Sequence, residues 1–306
     1  MNEYIKFFAI FAISGALAGG ISLVPKTVAP KVYDKNSAGT TRVVAEQTEQ
    51  SSDFDALGIM ARAVYVLDGA TGKAIFQRNA YAQLPLASLT KVMTAATALS
   101  IAPTYALVPV ADGAEQWTLQ NILSYFLTSS SNGAAAAVAQ AAGSFVSNSG
   151  TGDNNREAFI VEMNRKASEL ELSETYFLNE TGLDENLEIT GGYGSARDVS
   201  RLMLSELEAH PEIFDSTTAQ HANFKEENGN SHEAENTNKI VANIPLLRAS
   251  KTGFTDLAGG NLSVIFDAGV AKPIVITVLG STQEGRFADV NNLVRATLQY
   301  LQRFDL

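Results

Sequence analysis

A chain of 306 residues that is 45% apolar and 18% charged can bury the core of one large domain or two ordinary ones. Its net charge of −11 and pI near 4.8 argue against nucleic acid as a partner, because phosphate binding needs a basic face. The absence of cysteine excludes disulfides, zinc–thiolate sites and thiol catalysis, and His210, His221 and His232 stand at no metal-ligand spacing, so neither a metal site nor a histidine-based triad is expected.

Residues 7–24 form an apolar stretch rich in Ala and Gly, after Lys6 and before Pro25. Residues 1–25 read either as a signal peptide, on their modest hydrophobicity, or as an uncleaved membrane anchor, on their length and the lack of a clear cleavage triplet. The balance leans to the anchor. Lys26, Lys31, Lys35 and Arg42 follow and, under the positive-inside rule alone, would keep the body cytoplasmic. Residues 26–56 are polar, show no apolar periodicity and read as a flexible linker. The folded body is expected over 57–306.

That body opens with a hairpin: strands at 61–68 and 73–78 around a Gly69-Ala70-Thr71-Gly72 turn. A buried helix is expected from Ser88 through Leu99, with Pro85 and Ser88 at its start. An irregular piece holding Pro103 and Pro109 follows, then an amphipathic helix from Thr118 through Leu127. Thr128-Ser129-Ser130-Ser131-Asn132-Gly133 interrupts it. Further helices are expected at 134–142, 156–170 and 196–209, then a polar span over 210–238 with an Asn228-Gly229 turn. Strands return at 248–255, 261–268 and 273–280, and a last helix covers 287–303. The order predicts an α/β (α+β) fold: one antiparallel five-stranded sheet built from both ends of the body and flanked by helices, with the inserted helices forming a second lobe.

Three short motifs carry chemistry. In Leu86-Ala87-Ser88-Leu89-Thr90-Lys91, Ser88 and Lys91 share a helix face at i and i+3, hydroxyl beside amine, which is the minimum for a serine nucleophile activated by a lysine base. Ser130-Ser131-Asn132 lies between two helices and offers a hydroxyl to shuttle a proton and an amide to hold a substrate carbonyl or the lysine. Lys251-Thr252-Gly253 lies on a strand and offers a cation and a hydroxyl to a carboxylate, with Gly253 allowing close backbone approach. A cation there, together with burial, would also leave Lys91 neutral. Each motif has a plainer alternative: Ser88 as a helix cap, Ser130 to Asn132 as a polar turn, Lys251 as an edge-strand gatekeeper.

Taken together, these motifs resemble the penicillin-binding D-alanyl-D-alanine carboxypeptidases of low molecular mass, serine peptidases of family S11. The likeness extends to Ala70-Thr71-Gly72-Lys73, Met163-Asn164, Asn179-Glu180-Thr181-Gly182-Leu183-Asp184, Asn236-Thr237-Asn238 and Lys251-Thr252-Gly253-Phe254. The resemblance implies a DD-peptidase/β-lactamase-like fold, with Ser88 as nucleophile, Lys91 as its base and Ser130 assisting proton transfer. It further implies that Asn132, Lys251, Thr252, Gly253 and Phe254 bind substrate, with the backbone amides of Ser88 and Phe254 as oxyanion hole. The implied partners are peptidoglycan stem peptides and, as covalent inhibitors, β-lactams, with no cofactor. Location outside the cytoplasmic membrane is implied too, with tethering through residues 1–25. Two departures stand out: Gly133 replaces the acidic residue usual after the Asn132 position, and a short Ser88-to-Ser130 segment implies that a hairpin near the cleft is missing. A DD-endopeptidase, a class A-like β-lactamase built on Glu180, and a weakly catalytic peptidoglycan-binding module are the alternatives.

Overall fold

The computed structural model describes Phe54, residues 56–147 and residues 152–304, and the expected leader and most of the linker lie outside these. In chain order come strands β1 (Ala63–Asp68), β2 (Lys73–Arg78) and β3 (Leu84–Pro85), helix α1 (Thr90–Ile101) and the hairpin β4 (Leu107–Val110) with β5 (Glu115–Thr118). Helices α2 (Leu119–Ser129), α3 (Asn132–Gly143) and α4 (Gly152–Glu169) follow, then the short strands β6 (Tyr176–Phe177) and β7 (Gly192–Gly194) and helix α5 (Ala196–Ala209). The chain closes with the hairpin β8 (His221–Lys225) and β9 (Ser231–Glu235), strands β10 (Leu247–Thr255), β11 (Gly259–Asp267) and β12 (Pro273–Ser281), and helix α6 (Gly285–Phe304).

The main sheet runs β10-β11-β12-β1-β2, antiparallel throughout, so strands from the two ends of the body meet where β1 pairs with β12. Side chains alternate between its faces. Val64, Val66, Leu262, Val264, Ile276 and Val278 pack against Val290, Leu293 and Val294 of α6. Ala63, Tyr65, Ile265, Val275 and Leu279 turn the other way, into a core shared with the helical lobe. A buried hydroxyl chain stitches that second face to α5: Ser200 Oγ lies 2.7 Å from Thr277 Oγ1, which lies 2.8 Å from Ser263 Oγ. Within the lobe α1 is buried nearly all round, as an apolar helix without a polar face must be.

Four expectations need correction. Ser88 is not on α1 but in the 3-10 turn Ala87–Leu89 that precedes it. The piece with Pro103 and Pro109 is not irregular throughout but contains the β4–β5 hairpin. Pro109 argues against a strand, yet in a two-stranded ribbon both strands are edges and the missing N–H costs nothing. The polar span contains β8–β9, which buries only Phe224 and Ala234 among its strand residues and therefore gives almost no apolar alternation. Order also begins earlier than residue 57: Phe54 is buried, stacks on Phe76 at 4.8 Å and touches Tyr300. Among the described residues no helix is long and apolar enough to cross a membrane.

Candidate active site

The site lies where the N-terminal end of α1, the α2–α3 junction and β10 converge. Ala87 takes a left-handed conformation (φ 49°) that few non-glycine residues adopt, and the tight turn it starts presents Ser88, half-buried, two residues before the buried α1. Two glycines allow this turn to be packed. A Cβ at Gly253 would meet Leu86 O at 2.8 Å and Leu89 N at 3.2 Å, and one at Gly182 (φ 76°) would fall 1.9 Å from Ala87 O. The second contact fixes the turn 179–182, whose Asn179 Oδ1 accepts from Thr181 N (3.1 Å), Thr181 Oγ1 (3.0 Å) and Gly182 N (2.7 Å).

That turn supplies a partner that the motifs do not reveal. Lys91 Nζ is fully buried and has three oxygens around it: Ser88 Oγ at 3.0 Å, Asn132 Oδ1 at 2.7 Å and the Thr181 carbonyl at 2.8 Å. The Asn132 amide oxygen and the Thr181 carbonyl can only accept. A neutral amine has two N–H donors, so these satisfy the two carbonyl oxygens and leave the lone pair facing Ser88 Oγ–H. Burial drives the Lys91 pKa down to about 7, against an opposing pull from the Glu180 carboxylate. Burial, one of the two causes expected from sequence, is thus the main one, and the charge of Lys251 does not join it.

Lys251 is buried on β10 and donates to Ser130 Oγ (3.0 Å) and to the Thr252 carbonyl (3.0 Å). Its pKa also lies well below the ordinary lysine value, first through burial and then through repulsion from Lys91 and Arg286. Because Ser130 Oγ accepts from Lys251, its own proton is free to point into the cleft. Ser130 holds this position in a left-handed cap (φ 62°) at the end of α2, and the Ser131 side chain caps α3 by accepting from Ala134 N. Thr252 Oγ1 lies 2.6 Å from Thr237 Oγ1, and Arg286, itself buried, donates to the Gly253 carbonyl at 2.6 Å. Phe254 stands 42% exposed beside them.

The structure therefore gathers Ser88, Lys91 and Asn132 into one hydrogen-bonded group and Ser130, Lys251 and Thr252 into a second beside it, with Lys91 and Lys251 close enough to repel each other and Gly253 against the serine turn. Sequence reasoning missed the Thr181 carbonyl, the buried Glu180 carboxylate, Thr237 and Arg286. Thr237 had a signal in its place between Asn236 and Asn238, and Glu180 and Thr181 had one in the Asn179-to-Asp184 motif, though not for these roles. Glu180 Oε1 is paired with Arg156 at 2.7 Å, while its buried Oε2 has no hydrogen-bond partner. Gly133 borders a pocket of about 430 Å³ with Asn132, Arg156, Glu180 and Asp184, and a Cβ there would meet nothing within 4 Å.

Comparison with known proteins gives a consistent answer. The family described as D-alanyl-D-alanine carboxypeptidase, peptidase S11, matches residues 104–282. The chain is 30% identical over 249 residues to a D-alanyl-D-alanine endopeptidase of Pseudomonas aeruginosa, covering 75% of this chain and 74% of that protein. It is 26% identical over 292 residues to a D-alanyl-D-alanine carboxypeptidase of Bacillus subtilis, covering 90% and 68%. Among solved structures, ampicillin-bound penicillin-binding protein D2 of Listeria monocytogenes superposes with a TM-score of 0.64 at 26% identity over 78% of this chain and 98% of that one. The Streptomyces K15 DD-transpeptidase, at 21% identity over 79% and 98%, shares the fold with a TM-score of 0.67.

Proposed function

The chain belongs to the D-alanyl-D-alanine carboxypeptidase family of serine hydrolases, and on that premise we propose that it cuts the peptide bond following a D-alanine in peptidoglycan stem peptides, through an acyl-serine intermediate. Lys91, as the neutral amine, takes the Ser88 hydroxyl proton while Ser88 Oγ bonds to the D-alanine carbonyl carbon. The backbone N–H groups of Ser88 and Phe254 hold the oxyanion. Ser130 gives its hydroxyl proton to the departing amine as the C–N bond breaks to leave an ester on Ser88, and the proton taken up by Lys91 restores the Ser130 hydroxyl. Water then hydrolyses that ester, with the proton returning by the same route. Asn132 keeps Lys91 in place, Lys251 holds Ser130, and the Thr252–Thr237 hydroxyl pair receives the substrate beyond the scissile bond. The observation that carries this reading is the coordination of Lys91 Nζ, with two obligate acceptors and one hydroxyl.

Cleavage of cross-linked stem peptides is the first reading, because the relative of higher identity is an endopeptidase and two hydroxyls can donate to an amide carbonyl as well as to a free carboxylate. This revises the preference for trimming the terminal D-alanine. The B. subtilis relative keeps that carboxypeptidase activity as the second reading. Such a substrate lies outside the cytoplasmic membrane, so the body works there, exported by residues 1–25 despite the basic residues after them. The test is digestion of purified cross-linked dimers and of uncross-linked pentapeptides, with products separated by chromatography. Conversion of dimers to monomers, abolished by Ser88→Ala, is expected. Release of D-alanine with dimers left intact would establish the carboxypeptidase instead, and no product from either would refute the peptidase.

A further inference from the structure

Away from the Ser88 cleft, the two hairpins that the sequence did not reveal converge on a cluster of metal-ligating groups. Glu115 begins β5, Glu226 opens the turn between β8 and β9, and His232 lies on β9. One potential ligand atom from each lies within 4.8 Å of the other two. His232 Nε2 is buried, has no hydrogen-bond partner and lies 3.9 Å from Glu115 Oε2. Glu226 is only 3% exposed, and among the described residues it forms no ion pair with lysine or arginine. Its oxygens accept instead from neutral donors, Oε2 from the backbone N–H of Gln116 at 3.0 Å and Oε1 from the Asn230 amide. Glu115 is oriented in the same way, with Oε2 accepting from Trp117 Nε1 at 2.9 Å. Two carboxylates and an imidazole with an unused nitrogen thus face one point, oriented by neutral groups, and among the described residues no lysine or arginine pairs with them.

We propose that this cluster is a zinc site that clasps β4–β5 to β8–β9, with Glu115, Glu226 and His232 as ligands and water completing a tetrahedron. Two carboxylate oxygens and one imidazole nitrogen suit zinc. Zinc bonds of about 2.0–2.2 Å set ligand atoms roughly 3.3–3.6 Å apart, so closure around the ion takes side-chain adjustments of about an ångström. The hydrogen bonds from Gln116, Asn230 and Trp117 are the outer partners such a site needs to hold its ligands in place. No spacing along the chain announces it, because the fold brings three separate segments together.

The protein contains one tryptophan, and its ring centroid lies 4.8 Å from that of His232, so its fluorescence reports directly on the site. The experiment is a titration of the EDTA-stripped, dialysed full chain with Zn²⁺, read by tryptophan fluorescence and by equilibrium dialysis. One equivalent binds with a saturable fluorescence change and raises the melting temperature. His232→Gln and Glu226→Gln each weaken binding about tenfold or more. His221→Gln, which alters an exposed histidine on the paired strand, leaves binding unchanged. Mg²⁺ and Ca²⁺, which demand six or more oxygens, give no such response. The wild-type titration decides even if a variant fails to fold: no saturable response to excess Zn²⁺ overturns the proposal. Binding that survives His232→Gln and disappears with His221→Gln also overturns it, as does a response to Ca²⁺ but not Zn²⁺.

Discussion

Lys91 shows how burial prepares a surface-type residue for the base role proposed for it. In water its amine would be protonated at neutral pH, whereas here burial opposes the charge and brings the pKa to about 7. The two carbonyl acceptors then decide where the lone pair points. Ser88 and Lys91 were legible as a pair from their spacing, but the groups that tune the amine were not: the Thr181 carbonyl that accepts from it and the Glu180 carboxylate that opposes the downward shift come from a turn about ninety residues downstream. Glu180 gives a direct check. Its carboxylate stabilises protonated Lys91, so Glu180→Gln lowers the Lys91 pKa further and moves the acid limb of the acylation rate to lower pH. The rate at pH 6 should rise about two- to threefold, measured as covalent penicillin binding against pH. An unchanged limb would remove Glu180 from the account.

Among the elements, the turns decide the geometry and the helices carry it. Gly182 fits a family motif and Gly133 departs from one, and the two meet opposite surroundings. Gly182 is left-handed and pressed against the Ala87 carbonyl, so Gly182→Ala must displace the serine turn. A loss of about 3–5 kcal/mol in urea unfolding and loss of acylation are expected. Gly133 sits in the first turn of α3 facing open space, where an acid complements the helix dipole and glycine weakens the helix. Gly133→Asp should therefore stabilise by about 0.5–1.5 kcal/mol in the same assay and leave acylation within about twofold. The departure at Gly133 that the sequence raised thus bears on helix stability and not on the cluster. The continuous apolar run of β12 and the amphipathic period of α5 were readable in the sequence because burial imposes such patterns. The hairpins β4–β5 and β8–β9 were hidden because they have little to bury, and they are the two that carry the proposed zinc site.

At the scale of the whole molecule, the cleft exists because the sheet and the helical lobe meet along β10 and the start of α1. Lys91 and Asn132 are 41 residues apart in the chain, and Lys251 and Ser130 are 121 apart, yet both pairs are hydrogen-bonded. The sequence displayed the residue types and the elements that bear them, and the five-stranded sheet followed from strands at both ends of the body. It could not display which atoms meet, because that depends on the depth to which α1 is buried and on the approach of the 179–182 turn. The central claim, a Ser88 nucleophile driven by a neutral Lys91, is tested most directly by acylating the full chain with a penicillin across pH 5–9 and reading adduct mass and position by mass spectrometry. One adduct on Ser88, absent from Ser88→Ala, with a rate that falls below pH about 7 as Lys91 takes up its proton, is the predicted result. An adduct elsewhere, no adduct at any pH, or a rate that climbs only towards the ordinary lysine pKa near 10.5 would contradict it.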